Sequence, residues 1–166
     1  MKKFLILGAI VFGFNLLSAS DLVVGNLAPD FTLPDENDSL HTLSDYRGQR
    51  VVVYFYPKDD TPRCTKEACG IRDSYGLFDE NDIVVLGISY DDAESHQDFI
   101  LKHGIPFHLL TDTDKSVSKL YGTKGFFFPS RKTFLIDKDG KLIKIYDKVD
   151  VVSHARDVLK DFSENK

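Results

Sequence analysis

The chain has 166 residues, of which 42% are apolar and 28% charged, a composition typical of a globular protein with one substantial core. Its net charge is −5, and no cluster of lysine and arginine offsets that charge. The charge argues against binding to nucleic acids and to anionic membrane surfaces.

Residues 1–20 have the pattern of a secretory signal peptide. Two lysines form a basic start, an almost uncharged apolar run covers residues 4–17, and three small residues end at Ser20. We therefore expect cleavage after Ser20, a mature net charge of −7 once the two lysines are lost, and a periplasmic or secreted location. The alternative is an uncleaved anchor, although about 14 apolar residues are short for a bilayer that needs about 20.

Strands and helices alternate along the rest of the chain, which we expect to form one domain over residues 21–166. A small hairpin is predicted from residues 31–33 and 40–42. The main strands are predicted over residues 51–56, 83–89, 107–110, 133–136 and 142–146. Helices are predicted from Pro62 to about residue 78, from Asp91-Asp92 to His103, after Asp112 or Thr113, and from Asp150 with Val152, Ala155, Leu159 and Phe162 facing inward. This order predicts an α/β fold, a mixed central sheet with helices on both faces.

The stretch from Val51 to Cys69 carries the chemistry. Residues 51–56 are all β-branched or aromatic, as in a strand covered on both faces, and Pro57 ends that strand. Thr61 then suits a helix N-cap and Pro62 the first helical position. Cys64 therefore falls in the first turn of a helix that follows a buried strand.

A cysteine in the first turn of a helix favours its thiolate form, because the N–H groups there lack partners and the helix dipole is positive. Arg63 adds positive charge beside Cys64. Cys69 is the second of two cysteines in the chain, so the pair has the pattern of a redox-active cysteine and its resolving partner. In an exported protein the alternative is a structural disulfide, and Cys69 also suits the inner face of a helix.

These motifs resemble the peroxiredoxin family. Pro57-x-x-x-Thr61-x-x-Cys64 matches its active-site pattern, and YPKDDTPRCTKEAC is similar to the bacterioferritin-comigratory, or Q-type, branch. Further matches are APDF at residues 28–31, LSDYRG at 43–48 and Arg131 before TFLID, so the resemblance covers roughly residues 25–162. It implies a thioredoxin-like fold. Arg63 departs from the glycine usual in this branch.

The resemblance also implies roles for individual residues. Cys64 is the peroxidatic and Cys69 the resolving cysteine, and Pro57 shields the thiolate from water. Thr61 supplies a hydroxyl that accepts from the Cys64 N–H and donates to the thiolate or to a peroxide oxygen. Arg131 precedes a strand expected beside residues 51–56, which brings its guanidinium to the thiolate.

The reaction implied is reduction of hydrogen peroxide or an alkyl hydroperoxide by Cys64, followed by a disulfide with Cys69 that a thioredoxin-like dithiol protein reduces. No metal or other cofactor is expected, and the chain is expected to be a monomer. An exported thiol–disulfide oxidoreductase would favour Cys-x-x-Cys, and a thioredoxin-fold copper chaperone Cys-x-x-x-Cys, whereas four residues separate Cys64 from Cys69. A non-enzymatic fold with a structural disulfide is the third alternative.

The remaining candidates carry weaker signals. The five histidines, at positions 41, 96, 103, 108 and 154, show no metal-ligand spacing and are interpreted mostly as surface residues. Asp59-Asp60 and Asp91-Asp92 are interpreted as solvated loop and cap residues. The run 126–129, FFFP, is interpreted as a loop packed over the core, with a docking surface as the alternative.

Overall fold

A computed structural model describes residues 22–165 of the chain. The predicted signal peptide and its cleavage point lie outside these residues. None of the described helices has the length and hydrophobicity that a membrane-spanning helix requires.

Residues 22–165 contain seven strands and five helices, in the predicted order except that two helices replace the one predicted from Pro62 to about residue 78. The strands are β1 (Thr32–Pro34), β2 (Leu40–Thr42), β3 (Arg50–Phe55), β4 (Ile83–Ser89), β5 (His108–Thr111), β6 (Lys132–Ile136) and β7 (Leu142–Tyr146). The helices are α1 (Pro62–Asp73), α2 (Tyr75–Glu80), α3 (Ala93–His103), α4 (Ser116–Leu120) and α5 (His154–Glu164). A 3₁₀ turn, Leu43–Tyr46, follows the β1–β2 hairpin.

The main sheet has the strand order β5-β4-β3-β6-β7, with β3 at its centre. β3 pairs with β4 in parallel and with β6 antiparallel, so Val52 lies between Val85 and Leu135. Alternate β3 residues face two separate cores. The core around Val52 and Tyr54 includes side chains of α1, α2, α3 and α5, and the opposite core includes α4 and the hairpin. The predicted mixed sheet with helices on both faces is thus confirmed.

The helix that carries the cysteines ends earlier than predicted. The chain was expected to be helical to about residue 78, but α1 stops at Asp73 and α2 starts at Tyr75. Between them the Ser74 N–H donates to the Ile71 carbonyl, a tighter turn than an α-helix makes. Ser74 and Gly76 are both weak helix formers, which accounts for the break.

Two predicted helix starts were also wrong. The last helix begins at His154 rather than after Asp150, whose carboxylate instead accepts from the Val152 N–H in a preceding turn. Val152 therefore does not face inward but is 68% exposed. The N-cap of α4 is Lys115, although the Asp112 carboxylate still accepts from the N–H groups of Val117 and Ser118. By contrast, Asp92 and Gly104 bound α3 as predicted.

Candidate active site

Cys64 lies in the first turn of α1, the helix that follows β3, as predicted. Thr61 occupies the N-cap position with extended backbone, and Pro62 is the first helical residue. Cys64 is only 2% exposed and belongs to the core on that face of the sheet, whereas Cys69 is half-buried. Both are free thiols, so the described state is the reduced one.

Arg131 reaches Cys64 from the neighbouring strand. Because β6 pairs antiparallel with β3, the start of β6 lies beside the end of β3, with Lys132 opposite Phe55. Arg131, which immediately precedes β6, donates a hydrogen bond from Nη2 to the Cys64 Sγ at 3.1 Å. A positively charged donor at this distance stabilises negative charge that develops at the sulfur. The predicted meeting of these two residues, 67 positions apart, is present.

Glu67 is a site residue that sequence reasoning missed. Its side chain is fully buried, and its Oε2 accepts a hydrogen bond from Arg131 Nη1. One guanidinium therefore bridges Glu67 and Cys64, which fixes the orientation of its donors. The available signal was the helical spacing: Glu67 follows Cys64 by three residues and so lies on the same buried face of α1.

Burial and ion pairing have opposite effects on the pKa values of Glu67 and Arg131. Burial raises the pKa of Glu67 to about 7, although the positive charges of Arg131 and Arg63 oppose that rise. Burial alone would lower the pKa of Arg131, but Glu67 and Cys64 outweigh it and raise that pKa above its ordinary value. Arg131 therefore stays charged beside the sulfur.

The Thr61 side chain does not do what was predicted. It makes no capping hydrogen bond; instead its hydroxyl donates to the Lys58 carbonyl at 3.0 Å. A hydroxyl has one proton and two lone pairs, so a hydroxyl that already donates can still accept. Thr61 is therefore placed to accept a hydrogen bond rather than to donate one to the sulfur.

Pro57 and Arg131 line a surface pocket of about 410 Å³ together with Arg63, Lys148 and Val149. Three of these five residues carry a positive charge at neutral pH. Arg63, the residue that departs from the glycine of the Q-type branch, is exposed at the rim of this pocket. The pocket lies next to the buried sulfur, because Arg131, one of its lining residues, contacts Cys64.

The loop between β3 and α1 is fastened to α3 by two aspartates interpreted from sequence as solvated. Asp59 is buried, accepts from Tyr56 at 2.6 Å, and lies 2.8 Å from His96 Nδ1. Asp60 is exposed but binds His103 Nε2 at 2.8 Å. The solvated interpretation is therefore wrong for Asp59.

Two other interpretations of weak sequence signals also need correction. His96 and His154 are fully buried rather than on the surface, and burial lowers the pKa of His154 to about 4. Phe126 and Phe127 are 83% and 73% exposed, so this loop does not pack over the core. Its role as a docking surface stays a prediction.

Comparison with known proteins supports the same chemistry. The model of the AhpC/TSA family matches residues 24–145. The chain is 44% identical over 144 residues to a putative peroxiredoxin bcp of Coxiella burnetii, covering 82% of this chain and 95% of that protein. It is 43% identical over 152 residues to peroxiredoxin Bcp of Bacillus subtilis, covering 85% and 97%.

A solved structure agrees with the fold. The crystal structure of peroxidoxin BcpB from Mycobacterium tuberculosis superposes with a TM-score of 0.80 at 31% identity, covering 86% of this chain and 97% of that one. Neither the disulfide oxidoreductase nor the copper chaperone is supported by these relatives. The chain belongs to the AhpC/TSA family and is a peroxiredoxin enzyme of the Bcp, or Q, type.

Proposed function

We propose that this enzyme reduces hydrogen peroxide and organic hydroperoxides with Cys64 as its nucleophile. The observation that carries the proposal is the hydrogen bond from Arg131 Nη2 to the Cys64 Sγ, in the first turn of α1. The Cys64 thiolate attacks one peroxide oxygen, the O–O bond breaks, and the second oxygen leaves as water or an alcohol after taking up a proton. Cys64 becomes a sulfenic acid.

Thr61, Arg131 and Pro57 assist this step. The Thr61 hydroxyl, which donates to the Lys58 carbonyl, accepts the O–H of the hydroperoxide and so orients it. Arg131 and first-turn N–H groups stabilise the negative charge that develops on the oxygens as the O–O bond stretches. Pro57, half-buried at the pocket, keeps bulk water from the sulfur.

Cys69 then attacks the sulfenic sulfur, water leaves, and an intramolecular disulfide forms. An external dithiol protein of the thioredoxin type reduces the disulfide and is itself oxidised. We propose that the enzyme works as a monomer, since the resolving cysteine is on the same chain as Cys64.

The test is peroxide consumption by the reduced protein with thioredoxin or dithiothreitol as the reductant. We expect catalytic turnover with both hydrogen peroxide and an alkyl hydroperoxide. A protein that binds peroxide-derived oxygen on Cys64 but is not recycled by any dithiol would contradict the proposed cycle.

The disulfide requires α1 to unwind. The helix is continuous from Pro62 to Asp73 and contains both cysteines. On a regular helix, residues five apart are separated by about 7.5 Å of rise and about 140° of rotation, which places their Cα atoms about 8.7 Å apart. A disulfide needs roughly 4.4–6.8 Å. The cycle therefore alternates between a folded and a locally unfolded α1.

Gly70 lowers the free energy needed for this unfolding. A Cβ added at Gly70 would have the Val151 carbonyl oxygen as its nearest neighbour, at 3.9 Å, which is an ordinary contact. Gly70→Ala should therefore stabilise the reduced helix by about 1 kcal/mol and slow disulfide formation about fivefold. The rate at which peroxide oxidises Cys64 should not change. Rapid quenching followed by mass spectrometry separates the two steps.

Gly76→Ala is the matched control, since Gly76 lies in α2 and a Cβ there would meet nothing within 4 Å. It should leave both steps unchanged. Amide hydrogen exchange should show that residues 65–70 lose protection on oxidation. In the reduced form, Gly70→Ala should increase the protection of these residues. If Gly70→Ala and Gly76→Ala slow disulfide formation equally, unwinding of α1 does not control that step.

We also propose that residues 1–20 export the protein and are removed, leaving residues 21–166 as the mature enzyme in the periplasm or outside the cell. The support is the basic, apolar and small-residue pattern of residues 1–20. The intact mass of protein from the exporting cell should then match that of residues 21–166, a chain that begins at Asp21. A full-length mass in the soluble fraction would overturn this.

A further inference from the structure

A second cluster of metal-ligating side chains lies away from Cys64, where the β1–β2 hairpin meets the edge strand β5. We call it the carboxylate–histidine cluster, and its members are Asp35, Glu36, His41 and His108. Asp35 and Glu36 come from the loop after β1, His41 from β2, and His108 is the first residue of β5. No metal-ligand spacing is visible along the sequence, because the two histidines lie on different elements.

The ligand atoms of Asp35, His41 and His108 all lie within 4.8 Å of one another, and Glu36 lies beside His108. His41 Nε2 lies 2.9 Å from Asp35 Oδ2, and His108 Nδ1 lies 3.3 Å from the same oxygen. His108 Nδ1 is also 3.1 Å from Glu36 Oε1. A tetrahedral zinc ion with bonds of about 2.0–2.1 Å separates its ligand atoms by about 3.3 Å. The observed spacings are close to that value.

Other hydrogen bonds hold these side chains in place. Asp35 Oδ1 accepts from the N–H groups of Asn37 and Ser39, at 2.7 and 2.9 Å, which leaves Oδ2 to face the histidines. Tyr46 hydrogen-bonds His41 Nδ1, which leaves Nε2 for a ligand. Partners of this kind, behind the ligand atoms, are typical of metal sites.

We propose that the carboxylate–histidine cluster binds one divalent transition-metal ion, with Zn²⁺ the best match. Two imidazoles and two carboxylates suit zinc, whereas calcium and magnesium prefer oxygen ligands alone. The carboxylates are nearly buried, with side-chain exposures of 3% for Asp35 and 12% for Glu36, while His108 is 46% exposed and open to an entering ion.

Such an ion would clamp the hairpin to the edge of the main sheet. The hairpin and β5 are joined here by the contacts of His108 with Asp35 and Glu36 and by a hydrogen bond from the Leu109 N–H to Glu36 Oε2 at 3.3 Å. The unfolded chain has no preformed site, so a metal ion binds the folded form more tightly. Metal binding should therefore raise the melting temperature. This inference does not depend on the proposed peroxidase cycle.

Zn²⁺ binding should be measured by calorimetry on the Cys64→Ser/Cys69→Ser double variant, so that no thiolate contributes. We expect one Zn²⁺ per chain, a higher melting temperature in its presence, and Co²⁺ spectra with tetrahedral d–d bands but no sulfur charge-transfer band. Adding His108→Ala, at a half-exposed position where folding is not at risk, should weaken binding at least about tenfold.

His103→Ala is the matched control, because His103 also contacts a carboxylate, at 2.8 Å from Asp60, but lies outside the cluster. It should bind Zn²⁺ as the double variant does. Equal binding with and without His108→Ala would overturn the site, as would binding that disappears with the two thiols. Tighter binding of Ca²⁺ or Mg²⁺ than of Zn²⁺ would overturn the assignment of the ion. If none of these ions binds, the proposed metal site is wrong and the cluster is held together by hydrogen bonds alone.

Discussion

Cys64→Ser should abolish peroxidase turnover completely. The reaction requires a group that is both ionised near neutral pH and able to take up an oxygen atom, and a serine hydroxyl does neither. Serine is almost isosteric with cysteine, so the fold should persist even though the site is only 2% exposed. Initial rates of peroxide consumption with dithiothreitol, together with a circular dichroism melt, measure the two effects separately.

Cys69→Ser is the matched control for the role of each thiol. This variant keeps the nucleophile, so it should consume about one equivalent of peroxide per chain and then stop unless a small thiol reduces the sulfenic acid. Trapping with dimedone should label Cys64 in this variant. If Cys69→Ser fails in a single turnover while Cys64→Ser succeeds, the two cysteines have the opposite roles.

Arg131→Ala should slow the oxidation of Cys64 by about two to three orders of magnitude, the loss typical when one donor to a developing oxyanion is removed. The guanidinium donates to Sγ at 3.1 Å and is also the ion-pair partner of buried Glu67. Stopped-flow oxidation by peroxide measures the rate. Arg131→Lys keeps the charge but cannot donate to Glu67 and Cys64 at the same time with the planar geometry of a guanidinium. Its oxidation rate should therefore lie between those of the unsubstituted enzyme and Arg131→Ala.

The same substitution should destabilise the fold in a pH-dependent way. Glu67 has a pKa of about 7 in the folded protein against an ordinary 4.5, so the folded state holds a proton that the unfolded state releases between these values. Its contribution to stability therefore falls as pH rises from 4.5 to 7. Without Arg131 the pKa of Glu67 rises further, and the decline continues to higher pH.

We therefore expect Arg131→Ala to lose about 3 kcal/mol of stability at pH 8, and markedly less at pH 5, where Glu67 is protonated in both proteins. Urea unfolding at several pH values measures this difference. In a Glu67→Gln background the loss should be smaller and independent of pH. Lys132→Ala, which removes an exposed ion pair with Asp147, should change stability by no more than about 1 kcal/mol. A loss for Arg131→Ala that is equal at pH 5 and pH 8 would contradict the pairing argument.

The parts of the fold that depend on local pattern were predictable from sequence. The buried strand before Pro57, the start of α1 at Pro62 and the stop of α3 at Gly104 all follow from propensity and capping. Arg131 beside Cys64 was predictable because a strand expected next to β3 begins right after it.

The buried charged groups were not predictable in this way. Asp59, Glu67 and His96 lie inside only because partners from other elements compensate their burial, and such partners are set by tertiary packing. The break at Ser74 was missed for a different reason: Ser74 and Gly76 are weak helix formers, but the helix pattern does not reveal at which residue a turn tightens. Thr61 shows most directly what sequence cannot predict. Its position at the helix N-cap was predicted, whereas the hydrogen bond that its hydroxyl makes was not.

The antiparallel pairing of β6 with β3 makes the chemistry of the sulfur depend on strand register. Successive side chains of a strand point to opposite faces, so a one-residue slip of β6 would turn Arg131 away from Cys64 and displace it by about 3.3 Å. Insertions in the exposed loop that carries Phe126 and Phe127 can be absorbed before β6 begins. An insertion at Lys132 or Thr133 would instead leave a well-folded sheet with an unassisted thiol. The length of the loop can therefore vary in evolution, whereas the number of residues at the start of β6 must stay constant for Arg131 to reach Cys64.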